Sequence, residues 1–284
     1  MLNINLILNM MRNIGLILRY ETRHRTRLLS DYLRLIIDYL CFEKILKLRE
    51  TTENIQGFSI EFVDYRALIF MYEEIFINKV YQFVSTTKNP LIIDSGTNIG
   101  LSAIFFKTFY PECRIIAFEP DEKIFNMLKK NVQRNNRLDG VTLINKAIHG
   151  SRNEMSFYYD PSHIANLTGN LITPRHGMKT KKVDCVPLSG FVGEIVDLLK
   201  MDIEGAENSA IDELSNTGKI KLIKEIIIEY HLHISLQEND KLSAMLKSLE
   251  QNNFTYQISG FFRPPFITEL FQDILIYAHN KSYD

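Results

Sequence analysis

Residues 91–100 read Leu-Ile-Ile-Asp-Ser-Gly-Thr-Asn-Ile-Gly, and no other stretch restricts the fold as strongly. The apolar run Leu91, Ile92 and Ile93 predicts a short buried strand. Asp94 ends it. Gly96 and Gly100 permit a tight turn, and a helical pattern starts at once with Leu101, Ile104, Phe105 and Thr108. A strand that turns through glycines into a helix N-terminus is where an α/β sheet holds a nucleotide-like ligand, against the amides that open the helix. The spacing is G-x-x-x-G with an acid two residues ahead of the first glycine. It departs from the G-x-G-x-x-G of dinucleotide folds. An ordinary βα turn looks much the same, so the run gains meaning only from its neighbours.

Those neighbours alternate. Strand patterns fall at 91–95, 114–118, 141–148, 197–202, 224–230, 253–259 and 271–278, with helical patterns at about 101–109, 121–135, 206–214 and 238–250. Such alternation predicts a parallel sheet with helices on both faces. The last two strands are joined by Ser259 to Leu270, which contains Pro264-Pro265 and no helical pattern. A direct connection implies an antiparallel pair, so the sheet is mixed at that edge. Upstream, residues 28–48 and 65–84 read as helices and 55–63 as a short strand or hairpin. Residues 150–190 break the rhythm with two extra strands around a polar segment, 160–180, long enough to act as a lid or acceptor loop.

The ends of the predicted strands carry the chemistry. The second ends at Phe118-Glu119-Pro120-Asp121, nineteen residues beyond Gly100. An acid at this tip can accept from both ribose hydroxyls of a nucleoside. Asp121 suits the N-cap of the following helix, which leaves Glu119 for a ligand. The third ends at Asn145-Lys146-Ala147-Ile148, beside where a base would lie. The fourth ends at Lys200-Met-Asp-Ile-Glu-Gly-Ala-Glu207, and the fifth at Glu229-Tyr230-His231. Carboxylates and an imidazole leaving buried strands at one sheet edge suit proton transfer near neutral pH.

Taken in order and spacing, Glu74-Ile-Phe76 with Tyr81, Asp94 to Gly100, Phe118 to Asp121, the Asn126–Asn135 helix, Lys200 to Glu207 and Glu229 to His231 resemble the FkbM family of S-adenosylmethionine-dependent methyltransferases. The resemblance covers about Tyr65 to Ala278. That family usually has Ala where this chain has Thr97. The resemblance implies a Rossmann-like class I methyltransferase fold: a seven-stranded, mostly parallel sheet with an antiparallel edge strand and helices on both faces. Residues 1–63 would form an N-terminal helical extension and 64–284 the methyltransferase domain, with core 91–279 and the insertion 150–190. It also implies methyl transfer to a hydroxyl of a sugar, a glycan or a related small molecule. Gly96, Thr97, Asn98 and Gly100 would hold the methionine part of the cofactor, with Asp94 beside it. Glu119 and Pro120 would meet the ribose, Ala147 and Ile148 would flank adenine, and Asp202 completes the set. His231 is the expected general base, oriented by Asp202 or Glu229. The same three residues could instead bind Mg²⁺, a reading held below the metal-free one. A non-catalytic S-adenosylmethionine-binding module of this fold is the alternative outside enzymology.

Bulk properties narrow the partners. The 284 residues carry a net charge of -1, so no basic field recruits nucleic acid. Cys41, Cys113 and Cys185 form no C-x-x-C pair, and a reducing, cytoplasmic location is expected. Residues 1–18 are rich in Leu, Ile and Met but broken by Asn3, Asn5, Asn9, Asn13 and Arg12, with Arg19, Arg23, Arg25 and Arg27 following. That composition suits neither a signal peptide nor a membrane span. A helix packed on the domain or on a second copy in a homodimer is the favoured reading of residues 1–27, and peripheral membrane contact the alternative.

Overall fold

The computed structural model describes residues 4–20, 22–46, 51–159, 179–231, 241–260 and 273–284. The expected 160–180 loop, the Phe261–Phe266 aromatic run and the start of the 238–250 helix lie wholly or largely outside them. Two helices, α1 (Ile4–Ile17) and α2 (Thr22–Asp38), lead into π-helical turns at Tyr39–Leu46. The hairpin β1 (Thr52–Ile55) and β2 (Phe58–Glu61) follows, turning through Gln56 and Gly57, both at positive φ. Asp64 caps α3 (Tyr65–Tyr72) by accepting from the Ala67 amide, and Glu73–Ile77 extends it as a π-helical turn. The expected helix over 65–84 stops there: the Asn78 amide closes on the Glu73 carbonyl and Lys79 takes φ 54°. Val80, Tyr81 and Phe83 are buried all the same. Their helix-like spacing arises from a packed irregular segment.

The central sheet contains β3 (Leu91–Ser95), β4 (Arg114–Phe118), β5 (Val141–Ile144), β9 (Val196–Met201), β10 (Ile223–Tyr230), β11 (Phe254–Gly260) and β12 (Ile274–Asn280). Their spatial order is β11-β12-β10-β9-β3-β4-β5. All neighbours are parallel except that β12 runs antiparallel to both β10 and β11. The mixed edge therefore forms as expected, with the reversed strand one in from the rim. The chain moves outward from β3 through β4 to β5, then returns to build β9 and β10 on the other side. This is a class I Rossmann-like methyltransferase sheet, and its topological switch point lies between β3 and β9. Helices α4 (Leu101–Phe109), α5 (Glu122–Gln133), α6 (Glu207–Asn216) and α7 (Leu242–Gln251) cover the faces.

One expected strand divides. Pairing along 141–148 stops at Ile144, and Ala147–Ile148 form a separate strand, β6. It pairs with β8 (Lys179–Val186), which also pairs with β7 (Glu154–Tyr159) in a second, three-stranded sheet. The apolar pattern survives the break because Ala147 and Ile148 stay in the core shared with Phe157 and Cys185.

Strand alternation sorts the core into two. Ile92, Leu198 and Ile227 point to one face, with α4, the hairpin and α2. Leu91, Ile93, Leu199, Ile226 and Ile228 point to the other, with α6 and α7. Tyr32, Leu35 and Phe58 share the first core with Ile92, so the first sixty residues pack directly over the sheet. Two asparagines four residues apart, Asn131 on α5 and Asn135 just past its end, hold the hairpin there. Asn131 accepts from the Glu61 amide at 2.6 Å and donates to the carbonyls of Glu61 and Ile99, each at 2.9 Å. Asn135 binds both backbone groups of Ser59. Side-chain amides thus satisfy the open edge of β2. Asn131→Leu leaves buried backbone groups of Glu61 and Ile99 unpaired. Urea unfolding should show a loss of about 2–4 kcal/mol; a loss well under about 1 kcal/mol would show that α5 does not anchor the hairpin.

Candidate active site

On one face of the sheet, three adjacent strands change from apolar to ionisable residues at their carboxyl ends. Ile92 is followed on that face by Asp94, Leu198 by Lys200 and then Asp202, and Ile227 by Glu229 and then His231. Lys200 sits directly opposite Asp94 in the register. Its side chain is 1% exposed, so its ammonium needs partners. Nζ donates to the Gly96 carbonyl at 2.7 Å and the Ser95 carbonyl at 3.3 Å, and lies 3.4 Å from Asp94 and 3.6 Å from Asp202. It also stands over the Tyr81 ring, whose hydroxyl donates to Asp202 at 3.3 Å. Burial works against the charged form, but Asp94, Asp202 and Glu229 outweigh it and raise the lysine pKa above 10.5.

The loop after β3 is fastened from within. Gly96, Asn98 and Gly100 all have positive φ. A Cβ at Gly96 would stand 1.9 Å from the Asp202 carbonyl oxygen, so the two loops approach too closely for any side chain there. The amides of Gly96 and Thr97 both donate to the Phe118 carbonyl, and the Asn98 amide donates to Glu119 at 3.1 Å. The amides of Gly96, Thr97 and Asn98 are therefore turned to the neighbouring strand and its tip. Thr97, 2% exposed, donates its hydroxyl to the Asp94 carbonyl at 2.9 Å. That bond accommodates a hydroxyl where the family usually has a methyl. Ser102 donates to Asp94 at 2.6 Å, while Asp94 Oδ1 and Ser95 Oγ are buried without a hydrogen bond.

Glu119 lies at the tip of β4. One oxygen accepts from the Asn98 amide and the other from the Asp121 amide at 2.8 Å. Each oxygen keeps a lone pair for a further donor. Burial pushes this carboxyl up to about 7. Asp121 caps α5 through the amides of Lys123 and Ile124, as the sequence suggests. Pro120 follows Glu119, and its carbonyl and that of Glu119 accept from Asn145. Ala147 and Ile148, expected beside the adenine, are 2% and 1% exposed and packed in the second core. Asn145 and Lys146 are the more open residues after β5.

His231 is the centre of the acidic end. Its Nδ1 meets Glu207 at 2.8 Å, and Nε2 lies 3.6 Å from both Asp202 and Glu204. Burial would lower its pKa, but Glu204, Glu207 and Asp202 together hold it well above 6.5. The residue that orients the ring on its Nδ1 side is therefore Glu207, where Asp202 or Glu229 was expected. Glu229 makes no hydrogen bond to a described residue, and burial with Asp202 and Glu74 nearby raises its pKa well above 4.5. Glu74 is pushed up to about 7 by burial and Asp202, and Glu204 to about 8 chiefly by burial. One ligand atom from each of Asp202, Glu229 and His231 lies within 4.8 Å of the others, a spacing that could admit a cation. Lys200, Glu207, Glu204, Glu74 and Tyr81 received no role from the sequence. For Lys200 a signal was present: a lysine between Leu198-Leu199 and Met201 in a buried strand must have a partner.

The sequence model described as the methyltransferase FkbM domain matches residues 94–256, just over half of the chain. The methyltransferase sdnD of Sordaria araneosa is 28% identical over 195 residues, covering 56% of this chain and 73% of that protein. Methyltransferase 1 of Beauveria bassiana is 28% identical over 181 residues, covering 56% and 72%. Among solved structures, the FkbM methyltransferase from Methylobacillus flagellatus KT aligns with a TM-score of 0.45 at 15% identity, over 90% of this chain and 59% of that one.

Lys200→Met removes the cation between two buried or half-buried carboxylates. Chemical unfolding should show a loss of about 3–5 kcal/mol. Adding Asp202→Asn to that variant should restore part of the loss, because the unpaired charge goes with it. Strict additivity of the two changes would show that the ammonium does not serve Asp202.

Proposed function

The chain belongs to the FkbM family of methyltransferases, and from that premise we propose that it methylates a hydroxyl oxygen of a sugar, a glycan or a related small molecule, using S-adenosylmethionine. The observation that carries the cofactor reading is Glu119. It is a buried carboxylate beside the switch point, held by two backbone amides and keeping one acceptor site per oxygen. Such a group suits a ribose diol. Glu74 and Glu204, with pKa values raised to about 7 and about 8, add carboxyl groups whose ionised form a cationic ligand would favour. Ser95 Oγ, buried without a hydrogen bond, lies at the same strand end, next to Asp94, whose Oδ1 is ion-paired with Lys200.

When bound, S-adenosylmethionine supplies a methyl carbon already activated by the adjoining positive sulfur. The protein's main task is then alignment, and positioning of this kind is worth ~7–11 kcal/mol. A hydroxyl acceptor also gives up its proton as it is methylated. We assign that proton to Glu229 rather than to His231. Both ring nitrogens of His231 already face carboxylates, so the ring remains an imidazolium and has no site to accept another proton. Glu229 is next to it, without a hydrogen bond to a described residue. His231 then acts as a fixed positive charge, positioned by Glu207. Tyr81 and Lys200 hold Asp202 in place beside His231.

The test separates binding from transfer. Glu119→Ala should weaken S-adenosylhomocysteine binding by about 10²-fold in calorimetry, the loss of two hydrogen bonds to a charged group. The affinity should also depend on pH. With Glu119 raised to about 7, the carboxylate form that binds is complete above about pH 8 and falls away below about pH 7 by up to tenfold per unit. Glu119→Gln should flatten that dependence. Failure of the wild type to bind removes the cofactor reading. Glu229→Gln should leave S-adenosylhomocysteine affinity unchanged and lower turnover by about 10²–10⁴-fold. A chain that binds the cofactor yet methylates no hydroxyl in a sugar and glycan panel is a binding module.

A further inference from the structure

Helix α1 is inverted relative to an ordinary surface helix. Its inward side carries Asn9 and the fully buried Asn13, beside Met10 and Ile17. Asn9 donates to both carboxylate oxygens of Glu73, and Asn13 donates to the Tyr32 hydroxyl, which itself donates to Glu73 at 2.7 Å. Just past the helix, the Tyr20 hydroxyl donates to the Ile77 carbonyl. Asn9 and Asn13, two of the asparagines that break the apolar sequence, are thus spent on the protein. The outward side carries Ile7, Leu8, Met11 and Leu18, which are 40, 60, 66 and 52% exposed. At 100° per residue these four fall within one third of the helix circumference, with Gly15 among them.

A contiguous exposed apolar face on a tethered helix calls for a partner, and charge identifies which. Residues 1–27 contain five arginines and one acid, Glu21. Arg12, one turn from Leu8, and Arg19, directly after Leu18, are exposed and form no ion pair with a described residue. A second copy meeting this face would bring arginine against arginine. With 14 residues, α1 is too short to cross a bilayer, and no helix among the described residues is long and apolar enough to do so. We propose that α1 docks the protein on an anionic lipid surface, with Ile7, Leu8, Met11 and Leu18 entering the acyl boundary and Arg12 and Arg19 meeting lipid phosphates. The docking face stands apart from the methyl-transfer reading. The segment α1 grips, Glu73–Ile77, nevertheless carries Glu74 to the candidate site.

The test is co-sedimentation of the full chain with vesicles of phosphatidylcholine alone and of equimolar phosphatidylcholine and phosphatidylglycerol. The expected result is binding to the anionic vesicles only, weakened by added salt. Arg12→Gln with Arg19→Gln should lower the partition coefficient about thirtyfold, the equivalent of about 1 kcal/mol per arginine. Leu8→Ser with Met11→Ser and Leu18→Ser should abolish binding with an unchanged circular dichroism spectrum and thermal midpoint, since the three side chains face solvent. Absence of binding to anionic vesicles overturns the proposal. Binding that neither set of substitutions weakens overturns it too. So does a dimer in light scattering that the serine variant converts to monomer, in a chain that ignores vesicles.

Discussion

The buried ammonium of Lys200 is the interaction on which the site depends. It joins β3, which leads into the Gly96 loop, to β9, which leads into the acidic loop, and it does so at the switch point of the sheet. A charge removed from water must recover its solvation from partners. Two carbonyls and two carboxylates supply them. Their positions in turn fix the turn at Gly96, where the Asp202 carbonyl passes so closely that a methyl group has no room. The glycine of the cofactor loop and the lysine of a distant motif are therefore two parts of one constraint.

Around that centre the protein gathers more carboxylates than cations. Burial first, and neighbouring acids second, raise the pKa values of Glu74, Glu204 and Glu229, while the acids around His231 raise its own well above 6.5 against burial. An arrangement of this kind stores unfavourable charge that a cationic ligand or a proton in transit can relieve. The protonation of His231 follows from three acids, Asp202, Glu204 and Glu207, all carried on the one connection from β9 into α6.

The N-terminal segment belongs to the same design. Its hairpin is held by Asn131 and Asn135, and the Asn131 side chain also takes the Ile99 carbonyl of the cofactor loop. Its first helix grips Glu73, the residue before Glu74. The two regions thus share hydrogen bonds as well as a core, and the outer face of α1 is what remains unpaired.

Much of this was legible in the chain itself. Strand and helix order, the mixed edge, the Asp121 cap and the Asp94–Gly100 turn all follow from local periodicity and turn chemistry, because those signals act over a few residues. The family pattern follows too, since it is a set of short motifs in order. Tertiary structure decided what no local signal carries. It closed the amides of Gly96 and Thr97 onto Phe118, divided the 141–148 strand, and ended the 65–84 helix at Ile77 although its buried positions continued. It set Glu207 on the Nδ1 of His231, and it turned Asn9 and Asn13 of α1 inward. In each case the reason is the same. A sequence shows which residues need a partner, while the partner is chosen by strands and loops that meet only when the sheet is assembled.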